Sequence, residues 1–346
     1  MRPAVLTNCV LGLMILGPAV RGWADEIVPP RPVSPQDRIL DGLVGTWDGQ
    51  ISGGSAESVG KPAPSGRITR QWVADRHFVQ ERGRDHLAFL TFDTRQGMYR
   101  AWYFHANGHV WELSGRWTGS SDRLSVSAEL DENQSLTRNF QILDQKHHEC
   151  TVTWTDEDGR TGIYGTFNYT RCNPGKKSSG QKSAAVSKPK SPPPPEMKIF
   201  ADELGKWALQ WSVTSGEKTN KVSGSSVVQS ILGGQFLQTT ATVQGRPGEN
   251  FSIVGFDAAT KTYRFWFFEA DGAPLGPAAG TWDEKQRTMT WECQLAGNVV
   301  MSSKKQWLNR DTAKVHRVCS QRNGSVYSTM DGTMTRQTGK PEPKRK

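Results

Sequence analysis

The sequence predicts an all-β protein built from two tandem antiparallel up-and-down β-barrels, joined by a disordered linker rich in Pro, Lys and Ser. Three observations support this prediction. One ordered series of strand-like segments occurs on either side of the linker, Gly-containing turn dipeptides separate the segments, and helical patterns are confined to short stretches. A meander of short strands has exposed edges unless the sheet closes, and a barrel closes it.

The clearest repeat is the pair "FDTRQGMYRAWYFHANG" (92–108) and "FDAATKTYRFWFFEADG" (256–272). Phe, Asp, Tyr, Arg, Trp, Phe and Gly recur in the pair at the same offsets. Four further pairs keep the same order along the chain: "LVGTW" and "ELGKW", "QWVADRHFVQ" and "QSILGGQFLQ", "SGRW" and "AGTW", "GTFNYTR" and "GTMTR". The sequence therefore indicates a duplicated domain.

Each copy is expected to contain about eight to ten short strands, because runs rich in Val, Ile, Thr, Phe, Tyr and Trp alternate with turn signals. Two-residue hairpins need positive φ at both turn positions. Four dipeptides predict such turns: Asn107-Gly108, Asp158-Gly159, Asp271-Gly272 and Asn323-Gly324. Helical signal is confined to residues 35–43 and 197–204, just before each repeated Trp.

The N-terminus "MRPAVLTNCVLGLMILGPAVRGWADE" predicts a signal peptide cleaved before Asp25, with an uncleaved anchor as the alternative. Its apolar run, Val10–Leu16, is too short to span a bilayer. The predicted organisation is a signal peptide (1–24), a first barrel (35–172), a flexible linker (173–198), a second barrel (199–338) and a basic disordered tail (339–346). We therefore expect a periplasmic or secreted protein that does not span the membrane.

The net charge of +9 does not indicate a nucleic-acid-binding protein. The linker segment 173–195 carries five Lys and no acid, the tail 339–346 carries a net +3, and the signal peptide carries two Arg. The segments expected to fold are therefore close to neutral, whereas a nucleic-acid platform presents a basic face. No nucleic-acid partner is expected, and the sequence does not identify a protein partner.

A Gly-x-Trp motif follows each helical segment, at Gly45–Trp47 and Gly205–Trp207, and each copy ends with an Arg, Arg171 and Arg336. This arrangement resembles the lipocalin and fatty-acid-binding-protein superfamily, the calycins. The resemblance implies that the closing Arg lies over the Trp and pins the closed end of the barrel, a stacking worth roughly 0.5–2 kcal/mol.

The second copy also resembles a narrower group. Its segments "GFDAATKTYRFWFFEADG" and "GTWDEKQRTMTWEC" are similar to a bacterial domain-of-unknown-function family of lipocalin-like barrels, typically envelope proteins. The resemblance extends over both copies. It implies a fold and a binding role, and it implies no reaction.

The repeated strand supplies the candidate ligand-binding residues. Strand alternation places Arg, Trp and Phe on one face in both copies, and the hairpin at Asn107-Gly108 is expected to add a Trp from the next strand to that face. This face is either packed core or a lumen wall on which the Arg orients an acidic or polar head group. The candidates are Arg100, Trp102, Phe104, Trp111, Arg264, Trp266 and Phe268.

Histidines are concentrated in the first copy, but their spacing matches no metal-binding pattern, and the second copy has Gln235 and Glu269 where the first has His77 and His105. We expect exposed strand and turn histidines, and neither a metal nor a cofactor. The histidines concerned are His77, His86, His105, His109, His147 and His148. No nucleophile elbow, phosphate loop or metalloprotease motif is present, so the sequence favours a non-enzymatic protein without excluding an enzyme.

Four cysteines follow the predicted cleavage site, two in each copy. An even number in an exported protein suggests the disulfides Cys150–Cys172 and Cys293–Cys319. Against this, a hairpin at Asp158-Gly159 places Cys150 opposite Phe167. The alternative is buried apolar thiols.

The function favoured by the sequence is the binding of a small apolar or amphipathic ligand in one or both barrels. A structural or interaction module whose barrels are filled by their own side chains is the alternative, and an enzyme acting at the barrel mouth is less favoured.

Overall fold

The computed structural model describes residues 35–54, 66–118, 123–131, 134–172, 192–246, 248–269, 274–295 and 298–337. The chain divides into two compact units, and each contains one closed barrel. Within the described ranges no helix is both long enough and apolar enough to cross a membrane. The predicted signal peptide, most of the linker and the basic tail lie outside the described residues.

The first barrel begins with helix α1 (Pro35–Leu43) and continues as an antiparallel meander of ten strands. Each strand pairs with the next, and the first also pairs with the tenth, which closes the sheet. The strands are β1 (Gly45–Gly54), β2 (Gly66–Val73), β3 (Phe78–Arg82), β4 (His86–Asp93), β5 (Met98–His105), β6 (Val110–Thr118), β7 (Arg123–Asp131), β8 (Gln134–Ile142), β9 (His147–Thr155) and β10 (Thr161–Arg171).

The second barrel has the same topology after a 3-10 helix at Pro195–Glu203. Its strands are β11 (Gly205–Ser215), β12 (Lys218–Ile231), β13 (Phe236–Val243), β14 (Asn250–Asp257), β15 (Thr262–Phe268), β16 (Pro274–Asp283), β17 (Thr288–Gln294), β18 (Val299–Asn309), β19 (Thr312–Gln321) and β20 (Val326–Arg336). The prediction of two tandem up-and-down barrels is confirmed.

The predicted turns occur where expected, but their loops are longer than two residues. Gly108, Gly159 and Gly324 have φ of 90°, 76° and 87°, while Asp271-Gly272 lies outside the described residues. Side-chain oxygens explain the added length: Asp156 Oδ1 accepts hydrogen bonds from two backbone N–H groups of its own loop. Such Asx turns stabilise a longer loop by replacing strand hydrogen bonds.

The closed end of each barrel is fixed by its Gly-x-Trp motif. Trp47 Nε1 donates to the Leu43 carbonyl at 2.8 Å, and the Arg171 guanidinium lies 4.3 Å from the indole centroid. Trp207 donates to a carbonyl of its 3-10 helix at 2.7 Å, with Arg336 at 4.5 Å from its ring. The stacking that the calycin resemblance implies is therefore present in both barrels.

Removing either closing Arg should destabilise its own barrel. We expect Arg171→Ala and Arg336→Ala each to lower the free energy of unfolding by about 1–2 kcal/mol, because both packing over the indole and hydrogen bonds to backbone carbonyls are lost. Hydrogen exchange of peptides from each barrel measures the effect. Unchanged protection in both variants would contradict the role of these Arg residues.

The strand register settles which face of the repeated strand points inward. Tyr99, Ala101 and Tyr103 of β5 pack in one cluster with buried residues from the other strands of the first barrel. In the second barrel Tyr263 and Phe265 of β15 pack in the corresponding cluster. The interior is therefore lined by the Tyr face of this strand, and the Arg/Trp/Phe face points away from it.

Candidate ligand-binding site in the first barrel

The predicted ligand-binding residues lie on the outer face of both barrel walls, with one exception. Arg100 stacks on Trp102, with 4.7 Å from its guanidinium carbon to the ring centroid, and Phe104 lies edge-on to Phe89 at 6.5 Å. In the second barrel Trp266 and Phe268 share the outer face with Arg264, which lies 3.3 Å from Asp257. Binding by this outer set stays a prediction, and any molecule touching Trp102 would lie outside the lumen.

Trp111 is the exception, because it lies on the inner face. The β5–β6 pairing places Phe104 opposite Val110 and Trp111 opposite Tyr103, one residue out of the expected register. The turn in which Gly108 N–H donates to the His105 carbonyl produces this shift, and a shift of one residue exchanges the two faces of a strand. The expected continuous face of Phe104 and Trp111 was therefore wrong.

A charged cluster occupies the interior of the first barrel. Arg70 on β2 lies directly opposite Glu81 on β3, and its Nε donates to Glu81 Oε2 at 2.5 Å. Both side chains are fully buried. Burial alone would raise the pKa of Glu81, but Arg70 and His86 hold it well below its ordinary value, so Glu81 is an anion.

His148 extends the cluster toward the closed end. Arg70 Nη1 lies 2.7 Å from His148 Nε2, and since a guanidinium can only donate, that nitrogen accepts and Nδ1 carries the proton. Burial, followed by the nearby Arg70, lowers the pKa of His148 to about 2. The neutral ring stacks on Tyr169 at 4.6 Å and meets Trp47 edge-on at 4.2 Å. The cluster is thus connected to the Gly-x-Trp motif.

His86 extends the cluster toward the opposite, open end. Its Nε2 lies 2.7 Å from Glu81 Oε1, and its Nδ1 lies 3.2 Å from Asp85 Oδ1. Burial alone would lower the pKa of His86, but these two hydrogen bonds raise it overall. Because both ring nitrogens face carboxylates, the ring donates twice as an imidazolium.

Arg138 is the second buried guanidinium of the interior. It stacks over Tyr103 at 4.0 Å and over Phe140 at 5.6 Å. In the described part of the chain no carboxylate lies within ion-pair distance of Arg138, although Glu81 acts on it electrostatically from further away. Among the described residues the cluster thus combines Arg70, Arg138 and a protonated His86 with buried Glu81 and the largely exposed Asp85, three positive charges against two negative ones.

Several polar atoms of this interior are buried with no hydrogen-bond partner among the described residues. They are Arg70 Nη2, Tyr103 Oη, His105 Nε2, Arg138 Nε and His148 Nδ1. Burial and the neighbouring His86 lower the pKa of His105 to about 4, so its ring is neutral. Buried polar groups are normally paired with protein or water. Five in one interior indicate a site that takes up water or the polar group of a ligand.

The second barrel lacks the whole cluster, as the strand registers show. Gly45 pairs with Arg70, whereas its counterpart Gly205 pairs with Val228, so Val228 stands at the position of Arg70. Following the paired residues from strand to strand in both barrels gives the other corresponding positions. The replacements are Arg70 by Val228, Glu81 by Thr239, His86 by Asn250, Tyr103 by Phe267, Arg138 by Ser303 and His148 by Ala313. The same fold closes without these charges, so the fold itself does not require them.

Sequence reasoning missed this site because it treated the histidines as surface residues. His148 is buried, His86 is largely buried, and His105 packs on Trp111 with 4.2 Å between ring centroids, all three inside the barrel. A signal was available: Arg70 alternates with Ile68 and Trp72 on one strand face, and the second copy has an apolar residue at that position.

The expected disulfides are not formed, since all four cysteines of the described chain are free. Cys150 lies opposite Phe167, as the hairpin argument predicted. Cys150 and Cys319 are buried, which fits the alternative of apolar thiols.

The second barrel also carries a wide depression of about 930 Å³ on its wall. Most of its lining side chains alternate with the core and so point outward, including Ser212, Lys304, His316 and Asp331. Its lining is mostly polar and exposed, although it includes the indole of Trp211, whose Nε1 is buried with no hydrogen-bond partner among the described residues.

A model of a protein family of unknown function, DUF1579, matches residues 192–337, the range that contains the second barrel. No curated protein matches the chain. A solved protein of unknown function from the DUF3598 family of Nostoc punctiforme is similar over 88% of this chain and 100% of its own, at 13% identity and a TM-score of 0.32. An S-type phycobiliprotein lyase from Guillardia theta is similar over 41% of this chain and 93% of its own, at 9% identity and a TM-score of 0.28.

Proposed function

We propose that the first barrel binds a small amphipathic molecule with an anionic head group, such as a carboxylate, and that Arg138 and Tyr103 receive the head. The observation that carries this proposal is the buried guanidinium of Arg138, which has no carboxylate partner in the described chain. A buried, unpaired charge is costly, and a ligand anion removes that cost. Arg138 Nε and Tyr103 Oη are both donors without an acceptor.

The remaining polar atoms suit the same head group. Glu81 is already engaged by Arg70 and His86, so it does not neutralise Arg138 by direct contact. His86 is protonated between Glu81 and Asp85, which keeps the interior positive. This excess charge favours an anion over a neutral or cationic ligand.

The apolar part of the ligand would pack on aromatic side chains of the inner wall. Trp111 and Phe167 lie on the inner face of the barrel but are only partly buried. Their partial exposure leaves apolar ring surface that a ligand could cover. Flat apolar rings around a few directed polar groups are typical of small-molecule sites.

A side-chain-filled interaction module is the second candidate. It is favoured by the ion-pair chain of Arg70, Glu81 and His86, which satisfies itself without a ligand. On this account water alone would occupy the positions next to Arg138. An enzyme receives no support from a specific observation.

Probe binding to the full chain tests the proposal. We expect a fluorescent fatty acid to bind saturably, and Arg138→Ser, which introduces the residue of the second barrel, to weaken binding at least tenfold. Loss of one charge-assisted hydrogen bond of about 1.5–3 kcal/mol accounts for a change of this size. Arg100→Gln is the matched control, because Arg100 lies on the outer face and should leave the affinity unchanged.

The outcomes separate the candidates. Absence of saturable binding would leave the filled module. Equal affinity of the wild type and the Arg138→Ser variant would exclude this head-group site. A loss confined to Arg100→Gln would favour binding at the Arg/Trp/Phe face, which the sequence analysis proposed as a lumen wall and which lies on the outside of the barrel.

We infer that the barrels belong with the calycins, on the support of the N-terminal helical turn, the Gly-x-Trp start and the Arg stacked on the Trp. We also infer export to the periplasm or beyond, on the support of the N-terminal apolar run followed by small residues.

A further inference from the structure

Three sulfur-containing side chains lie side by side inside the second barrel. Cys293 on β17 pairs directly with Met301 on β18, and Met301 pairs with Cys319 on β19. Met301 and Cys319 are buried in one cluster, and Cys293 packs against it. Directly opposed residues on adjacent antiparallel strands have Cα atoms about 4.5–5.5 Å apart, so the three side chains form a transverse row on the inner face.

A small internal cavity adjoins this row. Its volume is about 10 Å³, and its lining includes Cys293, Met301 and Arg317. Such a space accommodates about one water molecule or a single ion, and it is too small for an organic ligand. Arg317 Nε is buried at this cavity without a hydrogen-bond partner among the described residues.

The first barrel has apolar residues at all four positions. Ala128 corresponds to Cys293, Leu136 to Met301, Trp154 to Cys319 and Val152 to Arg317, as the paired registers show. The fold therefore closes without the sulfur row and without the adjacent charge. Like the charged cluster of the first barrel, the row belongs to one copy only.

We propose that Cys293, Met301 and Cys319 form a binding site for a single soft monovalent metal ion, Cu(I). Thiolate and thioether ligands select Cu(I) over harder cations. Binding adds the ion without a change in oxidation state and releases the two thiol protons. Two thiolates and Cu(I) carry a net charge of −1, which the guanidinium of Arg317 compensates inside the barrel.

This site departs from the expectation of no metal, and its composition explains why. In the described residues no group of three or more His, Cys, Asp and Glu side chains is arranged to hold a metal. The sulfur row contains only two such residues, and its third donor is a methionine. The residues are also spread over three strands, so no local spacing motif exists.

Competition with a Cu(I) chelator tests the proposal on the reduced full chain under anaerobic conditions. We expect one equivalent of Cu(I) per chain, with a sulfur-only coordination shell in X-ray absorption. Loss of a residue that contacts a metal ligand, but not the metal, typically weakens metal binding roughly 10–100-fold. Cys293→Ala and Cys319→Ser should each weaken Cu(I) binding by more than this, because each removes a ligand. Arg317→Gln removes the compensating charge but no ligand, so its loss of affinity should fall within that roughly 10–100-fold range.

Controls make each outcome decisive. Cys172→Ser removes a thiol of the first barrel and should leave the stoichiometry and affinity unchanged, and circular dichroism verifies that each variant is folded. Cys293→Ala introduces the residue that the first barrel carries, so it is compatible with the fold. Cu(I) binding that survives both Cys293→Ala and Cys319→Ser, or a coordination shell that contains nitrogen or oxygen, would overturn the proposal.

Discussion

Replacing Glu81 with Gln is expected to lower the free energy of unfolding of the first barrel by about 3–5 kcal/mol, because removing one partner of a buried ion pair leaves an uncompensated charge. Glu81 is the fully buried anion between Arg70 and His86, at 2.5 Å and 2.7 Å. Hydrogen exchange of peptides from β2, β3 and β9 should show the loss directly.

A triple variant distinguishes the destabilisation caused by removing one partner of the ion pair from the net contribution of the intact pair to stability. Arg70→Val, Glu81→Thr and His86→Asn together introduce the residues of the second barrel. We expect this variant to be close to the wild type in stability, or more stable, because replacing a buried ion pair with matched uncharged residues is often neutral or stabilising. A triple variant as unstable as Glu81→Gln would show that the charges themselves stabilise the fold.

Trp47→Ala is expected to have an effect of similar size on the first barrel, about 3–5 kcal/mol, as for other buried aromatic side chains truncated to Ala. The indole is fully buried, it donates to the Leu43 carbonyl, and it separates Arg171 from His148. Trp47→Phe retains most of the packing but loses the hydrogen bond, so it should cost clearly less.

The consequences of the Trp47 change should extend to the candidate site. Without the indole, the edge contact that holds the His148 ring is lost, and that ring accepts the hydrogen bond of Arg70. We therefore expect Trp47→Ala to weaken fatty-acid probe binding at temperatures where the barrel is still folded. Full stability in Trp47→Ala would contradict the assigned role of the closed end.

The fold was predictable because the sequence motifs that indicate it are short and occur in both copies of the domain. The Gly-x-Trp motifs and the closing Arg171 and Arg336 occur in both copies, and the structure places them as expected. The turns at Gly108, Gly159 and Gly324 also lie between strands, with loops longer than the predicted two residues. The strand count followed from the spacing of the turns. These features depend on short stretches of sequence and on strand alternation, which a single sequence shows.

The direction of the repeated strand was not predictable. Both of its faces are largely apolar, since Tyr99, Ala101 and Tyr103 alternate with Arg100, Trp102 and Phe104, so periodicity alone does not distinguish core from outer wall. A turn one residue out of the expected register then moved Trp111 to the other face.

The charged cluster could not be predicted from local sequence patterns, for a different reason. Arg70 and His148 are 78 residues apart, and only closure of the sheet brings them together. A position-by-position comparison of the two copies would have indicated it, because Arg70, Glu81, Arg138 and His148 all stand where the second copy has uncharged residues. In a duplicated fold, polar residues that occupy core positions in one copy only are the strongest signal of a site.

We propose that the buried positive charge of the first barrel receives an anionic head group. Nuclear magnetic resonance of a fatty acid labelled with carbon-13 at its carboxyl group, bound to the full chain, tests this most directly. We expect a distinct bound signal that stays in the ionised form well below the ordinary pKa of a carboxyl group, about 4.3 for Glu, because Arg138 stabilises the anion. In Arg138→Ser this resistance to protonation should disappear. A bound signal that titrates like the free acid in the wild type, or no bound signal at all, would contradict the account.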